Sequence, residues 1–406
     1  MRTPILVAAL ALALGCNVKY SSSSTASNNP EPAADPNAGK PIETAEPAGK
    51  PIEKPDPEAE KKAKEKAEYD KAMKELEDAS AKEAARWTPE MRAEVVKLTS
   101  TKWPNAKKGL TVALAGSYRM PGNKERDKDR HPVKTMEVFG LRPDMRVFEV
   151  GPGAGWWTEL LAVVLAQKGK LVIAGFDAKS DDLRVAYNGR AQELKFGNAP
   201  ELYGKLELLP GSPGNYNFGE PDSLDMVLNM RMTHNLVNSG NLEKFLGAAF
   251  IALKPGGVLA IEQHRAAEGA DPKTSSEKGY VPEKWLIEQV EAAGFKLEKK
   301  SEVNANPKDT KDYPQGVWTL PPSFAEGDKD KAKYEAIGES DRMTLKFVKP
   351  KAKKATPAAS GDIKGKVAPK TEPEPAKPVE PAPGKAVAPA KGKAIAPKAA
   401  EGEKTK

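Results

Sequence analysis

A single cysteine occurs in 406 residues, together with only three histidines and 6% aromatic side chains. One cysteine cannot pair within the chain, so a disulfide scaffold is excluded. Three histidines, without cysteine partners or carboxylates clustered at ligand spacing, carry no signature of a metal site. The scarcity of aromatics accompanies 30% charged residues and a mean hydropathy of −0.60, so much of the chain cannot be core. Excess positive charge is missing from most of the molecule as well. Residues 351–406 hold 13 Lys, no Arg and six acids, a net of +7, which equals the net charge of the whole chain. Residues 1–350 are therefore neutral, with 51 basic and 51 acidic groups. This excludes a basic folded domain built around a nucleic-acid groove, and no specific nucleic-acid partner is expected.

Residues 1–16 place an apolar run from Ile5 to Leu14 between one positive charge and Cys16. The run is too short to cross a bilayer and reads as a secretory signal. Its Ala13-Leu14-Gly15-Cys16 ending resembles a bacterial lipobox. The resemblance implies a lipidated Cys16 as mature N-terminus and membrane anchor, and Asn17 after it implies outer-membrane sorting in the cell envelope. Residues 17–58 are rich in Ser, Pro, Ala and Glu without apolar periodicity and are expected to be a disordered tether. Residues 59–87 combine strong helix formers with charges of alternating sign and read as a solvated helix. Thr88 and Pro89 start a second helix, and the folded domain is placed at 88–350. The tail from 351 repeats Lys, Pro and Ala and is expected to be extended. Its 13 Lys would give a diffuse, salt-sensitive attraction to anionic envelope polymers or lipid head groups.

The segment 145–161, MRVFEVGPGAGWWTELL, reads as strand, glycine-rich turn and helix. Such a loop lets a ligand approach backbone N–H groups at a helix N-terminus. A dinucleotide fingerprint requires a third glycine where Trp156 stands. The spacing is instead Glu149-x-Gly151-x-Gly153-x-Gly155, which resembles motif I of class I methyltransferases that use S-adenosylmethionine (SAM). The resemblance implies that the acid and the loop backbone receive the methionine amino group and ribose; Trp156 and Trp157 are expected to line the cofactor, one of them packing in the core instead.

The downstream order agrees. A second strand over 170–177 ends in Asp177, placed to accept ribose hydroxyls as the analogous acid does in dinucleotide sites. Further strands are read at 206–209, 223–229, 254–261, 294–297 and 343–348, with helices between most of them, for example at 241–253 and 283–293. The expected fold is α/β, a Rossmann-like seven-stranded sheet with helices on both faces; the resemblance adds that the seventh strand inserts antiparallel. After strand three the superfamily commonly has an adenine-binding Asp; here Ser212 stands as the candidate to accept a hydrogen bond from the cofactor, with adenine contact left open. Segments beginning at Arg126, Arg231, Glu262, Asn304, Gly316 and Ile337 (RDxxRHP, RxxHN, EQHRA, NxNPKDTKD, GVWTLPP and IGESDRMTL) are similar to a family of bacterial predicted methyltransferases, often exported, without an established substrate.

Two of the histidines, His234 and His264, follow strands four and five, where an open α/β sheet binds its ligands. Methyl transfer is an in-line displacement, which needs alignment and, for a hydroxyl or protonated amine, a general base. His234 or His264 is the expected base, with Arg231 and Arg265 orienting an anionic group of the acceptor. The polar stretch 302–340 is expected to cap the substrate side, anchored by Trp318. The expected activity is SAM-dependent methyl transfer to an unidentified small-molecule or envelope substrate. The alternative is a non-catalytic binding or scaffold protein on the same fold, since fold does not fix function.

Overall fold

A computed structural model describes residues 57–212 and 214–351. The signal segment with Cys16, the tether up to residue 56 and the tail from 352 onward lie outside the described residues.

Among the described residues, five α-helices precede the first strand: α1 (Pro57–Arg86), α2 (Pro89–Ser100), α3 (Ala106–Ala115), α4 (Asp127–Arg130) and α5 (Pro132–Phe139). Thr88 caps α2, its side chain accepting from Met91 N, with Pro89 in the first turn, where a missing N–H costs nothing. The first three turns of α1 are exposed. Further along, Tyr69, Met73, Leu76, Ser80 and Glu83 form a half-buried stripe at the three- and four-residue spacing of one helix face. That face docks on α7 (Leu183–Asn198): Asn198 donates to Ser80 O at 3.0 Å and Ser80 Oγ at 2.9 Å, and Arg190 pairs with Glu77 at 3.2 Å. The stripe is too narrow and too polar to stand out among the surrounding charges, so the expectation of a solvated helix omitted this contact.

The seven strands are β1 (Arg146–Val150), β2 (Lys170–Gly175), β3 (Glu207–Pro210), β4 (Leu224–Met230), β5 (Leu253–His264), β6 (Lys296–Ser301) and β7 (Arg342–Val348). They form one sheet in the order β3-β2-β1-β4-β5-β7-β6. Neighbours from β3 to β5 run parallel, and β7 lies antiparallel between β5 and β6. The crossovers are α6 (Thr158–Leu165) after β1; α7 and α8 (Pro200–Tyr203) after β2; α9 (Thr233–Asn238) and α10 (Leu242–Ala252) after β4; α11 (Pro272–Glu277) and α12 (Glu283–Ala292) after β5; and α13 (Lys331–Ile337) before β7.

Alternation along the strands divides two cores. Val147, Met226, Leu228 and Ala260 point to one face, packed with Leu110, Met136 and Leu161 of α3, α5 and α6. Their neighbours Phe148, Val227, Leu259 and Ile261 point to the other, against Phe245 of α10 and Leu286 of α12. The sheet is therefore covered on both faces, as a mainly parallel sheet requires. The outer strand β6, KLEKKS, carries three lysines along its exposed edge, which discourages pairing with another chain.

Candidate functional site

The carboxyl ends of β1, β2, β4 and β5 share one edge of the sheet, and every candidate residue of the folded domain lies there or in the loops above it. At the end of β1 the chain turns through Gly151, Gly153 and Gly155, with φ of 57°, 54° and 80°, the left-handed region that glycine enters without strain. The outer two also have the ends of flexible side chains close by. A Cβ on Gly151 would stand 2.8 Å from Met232 Cε, and one on Gly155 would stand 2.6 Å from Lys195 Nζ. The middle glycine is different: a Cβ on Gly153 would meet nothing within 4 Å. The backbone there is bare beneath open space, and α6 begins five residues later.

Glu149, in β1, is buried, and its carboxylate accepts from Thr158 Oγ1 at 2.8 Å. Burial pushes its pKa up to about 7, opposed by the Thr158 hydrogen bond and by the nearby Lys195. Lys195 reaches over from α7 to donate to Ala154 O at 2.5 Å, and burial pulls its own pKa down. Asp177 lies just past β2, exposed, accepting from Lys179 N at 2.8 Å. Ser212 is exposed after β3 and forms an isolated bridge with Asn215.

Trp156 does not face this space. Its indole is buried, donates to Asn123 O at 3.0 Å, and meets the guanidinium groups of Arg119 and Arg130 at 5.5 and 4.6 Å. Trp157 packs edge-on against it at 4.7 Å. The expectation that Trp156 lines a cofactor is therefore corrected: two buried arginines compete for its π-face, an attraction that sequence spacing does not show.

A second group forms where β4 and β5 end. Arg231 has φ 59°, and its N–H donates to Glu262 O at 2.6 Å. The rings of His234 and His264 lie 5.9 Å apart, and Trp318 stands 5.7 Å from His234, so the 302–340 stretch does reach over this corner. Both histidines are buried. Burial brings the pKa of His234 down to about 4 and holds His264 well below the ordinary imidazole value. His264 Nδ1 is 2.5 Å from Ser340 Oγ, and His234 Nδ1 is 3.5 Å from Gln263 Oε1. Both are neutral at pH 7 and weak as bases.

Arg265 departs from expectation. It pairs with Glu283 at 3.0 Å, Glu302 at 2.5 Å and Asp341 at 3.1 Å, which makes it a brace between β5, α12 and β7 rather than a ligand for substrate. Sequence reasoning left Arg126 and Arg130 without a role and did not gather them with Arg231 and Arg342 around Glu339. Arg126, Arg130, Arg231 and Arg342 approach its carboxylate at 2.9, 3.2, 3.5 and 3.0 Å, and Arg342 also pairs with Glu262 at 2.5 Å. The segments holding them stood out, but their convergence across about 210 residues has no local signature.

Residues 141–332 match the family model described as "Methyltransferase domain". This segment is similar to a methyltransferase domain. Among solved structures, the chain is similar to a SAM dependent methyltransferase from Aquifex aeolicus (19% identity, 61% of this chain and 100% of that chain, TM-score 0.37). It is similar also to the N-methyltransferase NodS from Bradyrhizobium japonicum WM9 in complex with S-adenosyl-l-homocysteine (15% identity, 61% and 100%, TM-score 0.35). No curated protein matches the chain. The methyltransferase match begins just before β1 and ends within α13. Arg126, Arg130, Glu339 and Arg342 thus stand outside the matched segment and close over its β4–β5 corner from both sides.

Proposed function

We propose that the domain transfers a methyl group from SAM to an unidentified acceptor. The observation that carries this reading is the loop Glu149–Gly155, in which three glycines hold left-handed backbone and Gly153 leaves open backbone beside a buried acid. The residues fit the cofactor. Glu149 would receive the methionine amino group, the bare backbone around Gly153 would face the same end, and exposed Asp177 would accept from the ribose hydroxyls. SAM supplies a methyl carbon made electrophilic by its sulfonium. His234 and His264, neutral at the β4–β5 corner, hold the side chains of the acceptor pocket and take the proton that a hydroxyl or protonated amine must shed. Their weak basicity favours an acceptor that is deprotonated easily. Replacing both by Ala lowers turnover without loss of SAM binding if they act on the acceptor; unchanged turnover rejects that role.

Calorimetric titration of the full chain with SAM and, separately, NADH tests the cofactor. SAM is expected to bind with a dissociation constant on the order of micromolar, Gly153→Arg is expected to abolish binding, and NADH is expected not to bind. Absence of SAM binding would leave the second reading, a non-catalytic envelope protein on this fold. Ser212, exposed where an adenine-binding Asp is common, is the observation that favours that alternative.

The signal segment and Cys16 support a further part of this reading, an exported protein anchored by lipid to the envelope. Cys16→Ser is expected to move the protein from the membrane fraction to the soluble fraction; retention in the membrane fraction counts against the anchor.

A further inference from the structure

The arginine cluster around Glu339 holds more positive charge than its carboxylates match. Four guanidinium groups, from Arg126, Arg130, Arg231 and Arg342, face Glu339 and Glu262, with the carboxylate of Asp129 nearby. Arg130 and Arg342 are each 1% exposed and Glu339 is 5% exposed, so water does not offset the mismatch. Burial with too little negative charge pulls the Arg231 pKa down to about 10.

Arg130 shows where the missing charge belongs. Its Nε donates to Glu339, but among the described residues its Nη1 and Nη2 donate to nothing. The Trp156 ring 4.6 Å away offers a π-face to the cation and no acceptor for these N–H groups. A buried guanidinium with an unfilled fork is costly, and the fork geometry matches two oxygens of a carboxylate or phosphate. Arg126 and Arg231 flank it with 23% and 25% of their side chains exposed, which marks the side an anion would approach from. The cluster also joins the two halves of the site: Trp156 follows the glycine loop directly, and Arg231 ends β4 beside His234.

We propose that Arg126, Arg130 and Arg231 form an anion subsite that takes a carboxylate or phosphate group of a ligand bound in the cleft. The subsite itself stands on the geometry; naming its ligand rests on the methyl-transfer reading. The group arrives either on the methyl acceptor or as the methionine carboxylate of the cofactor.

The test titrates the full chain with acetate and with inorganic phosphate at constant ionic strength against chloride, following tryptophan fluorescence, with and without SAM. Saturable binding of at least one anion is expected, weakened about tenfold or more in Arg130→Gln and in Arg126→Gln and unchanged in Arg190→Gln, whose side chain pairs with Glu77 of α1. The Arg126 variant, at a partly exposed position, keeps the test open if the Arg130 variant does not fold. Retention of anion binding with SAM present assigns the subsite to the acceptor, and competition by SAM assigns it to the cofactor carboxylate. A response no different from chloride, or affinities equal in wild type and both folded variants, overturns the proposal. Failure of SAM to bind while the anion still does removes the methyl-transfer reading and leaves the subsite standing.

Discussion

Burial acts on Glu149 and on His234 in the same sense, favouring the neutral form, and the consequences for pH are opposite. Glu149 has its pKa raised to about 7, so it is largely protonated below that pH and a carboxylate above it. An ammonium group is held by the carboxylate. SAM affinity is accordingly expected to rise with pH through about 7, and Glu149→Gln to bind SAM weakly with this pH dependence removed; titrations between pH 6 and 8 check both. His234 has its pKa lowered from 6.5 to about 4. Its neutral form stabilises the fold fully above pH 6.5, and that contribution is lost as the pH falls toward 4, because the unfolded chain takes up the proton first. Melting temperature is expected to fall across this window in the wild type and less steeply in His234→Gln. At this scale the sequence was legible where chemistry is contiguous. Glu149 and the three glycines lie within seven positions, and their spacing alone identifies the turn. The partners of Glu339 come from three separate segments, and only the folded chain brings them together.

At the scale of elements, α7 links α1 to the glycine loop. Its Gly189 lies against the turn after β2, where a Cβ would stand 2.4 Å from Ala178 N and 2.7 Å from the carbonyl carbon of Asp177. Backbone on both sides leaves no flexible neighbour to give way. Gly189→Ala is expected to displace the Asp177 turn and weaken SAM binding roughly tenfold, a cost of about 1.4 kcal/mol, with a drop in melting temperature as the accompanying readout. Unchanged affinity would show that Asp177 does not contact the cofactor. The strands were readable because buried apolar residues crowd them, and β1, β4 and β5 fall within a few residues of the expected positions. The docking of α1 was not, since Ser80, Glu77 and Asn198 make polar contacts on a helix otherwise dominated by charge.

For the whole molecule, the neutral domain and the basic tail are expected to separate experimentally. Deleting 352–406 removes most of the excess charge, and binding to phosphatidylglycerol vesicles is expected to fall and to lose its dependence on salt while SAM affinity stays the same. Equal vesicle binding by both forms would place the attraction elsewhere. The insertion of β7 between β5 and β6 adds a constraint of timing. Glu339 and Ser340 immediately precede β7 and Arg342 opens it, so a nascent chain ending at β6 has its glycine loop but neither the carboxylate that gathers the arginines nor the hydroxyl beside His264. Sheet closure requires contacts between distant parts of the chain, which form slowly. Assembly of the corner where β4 and β5 end therefore waits until residue 348 is free to pair, and a shorter nascent chain lacks it.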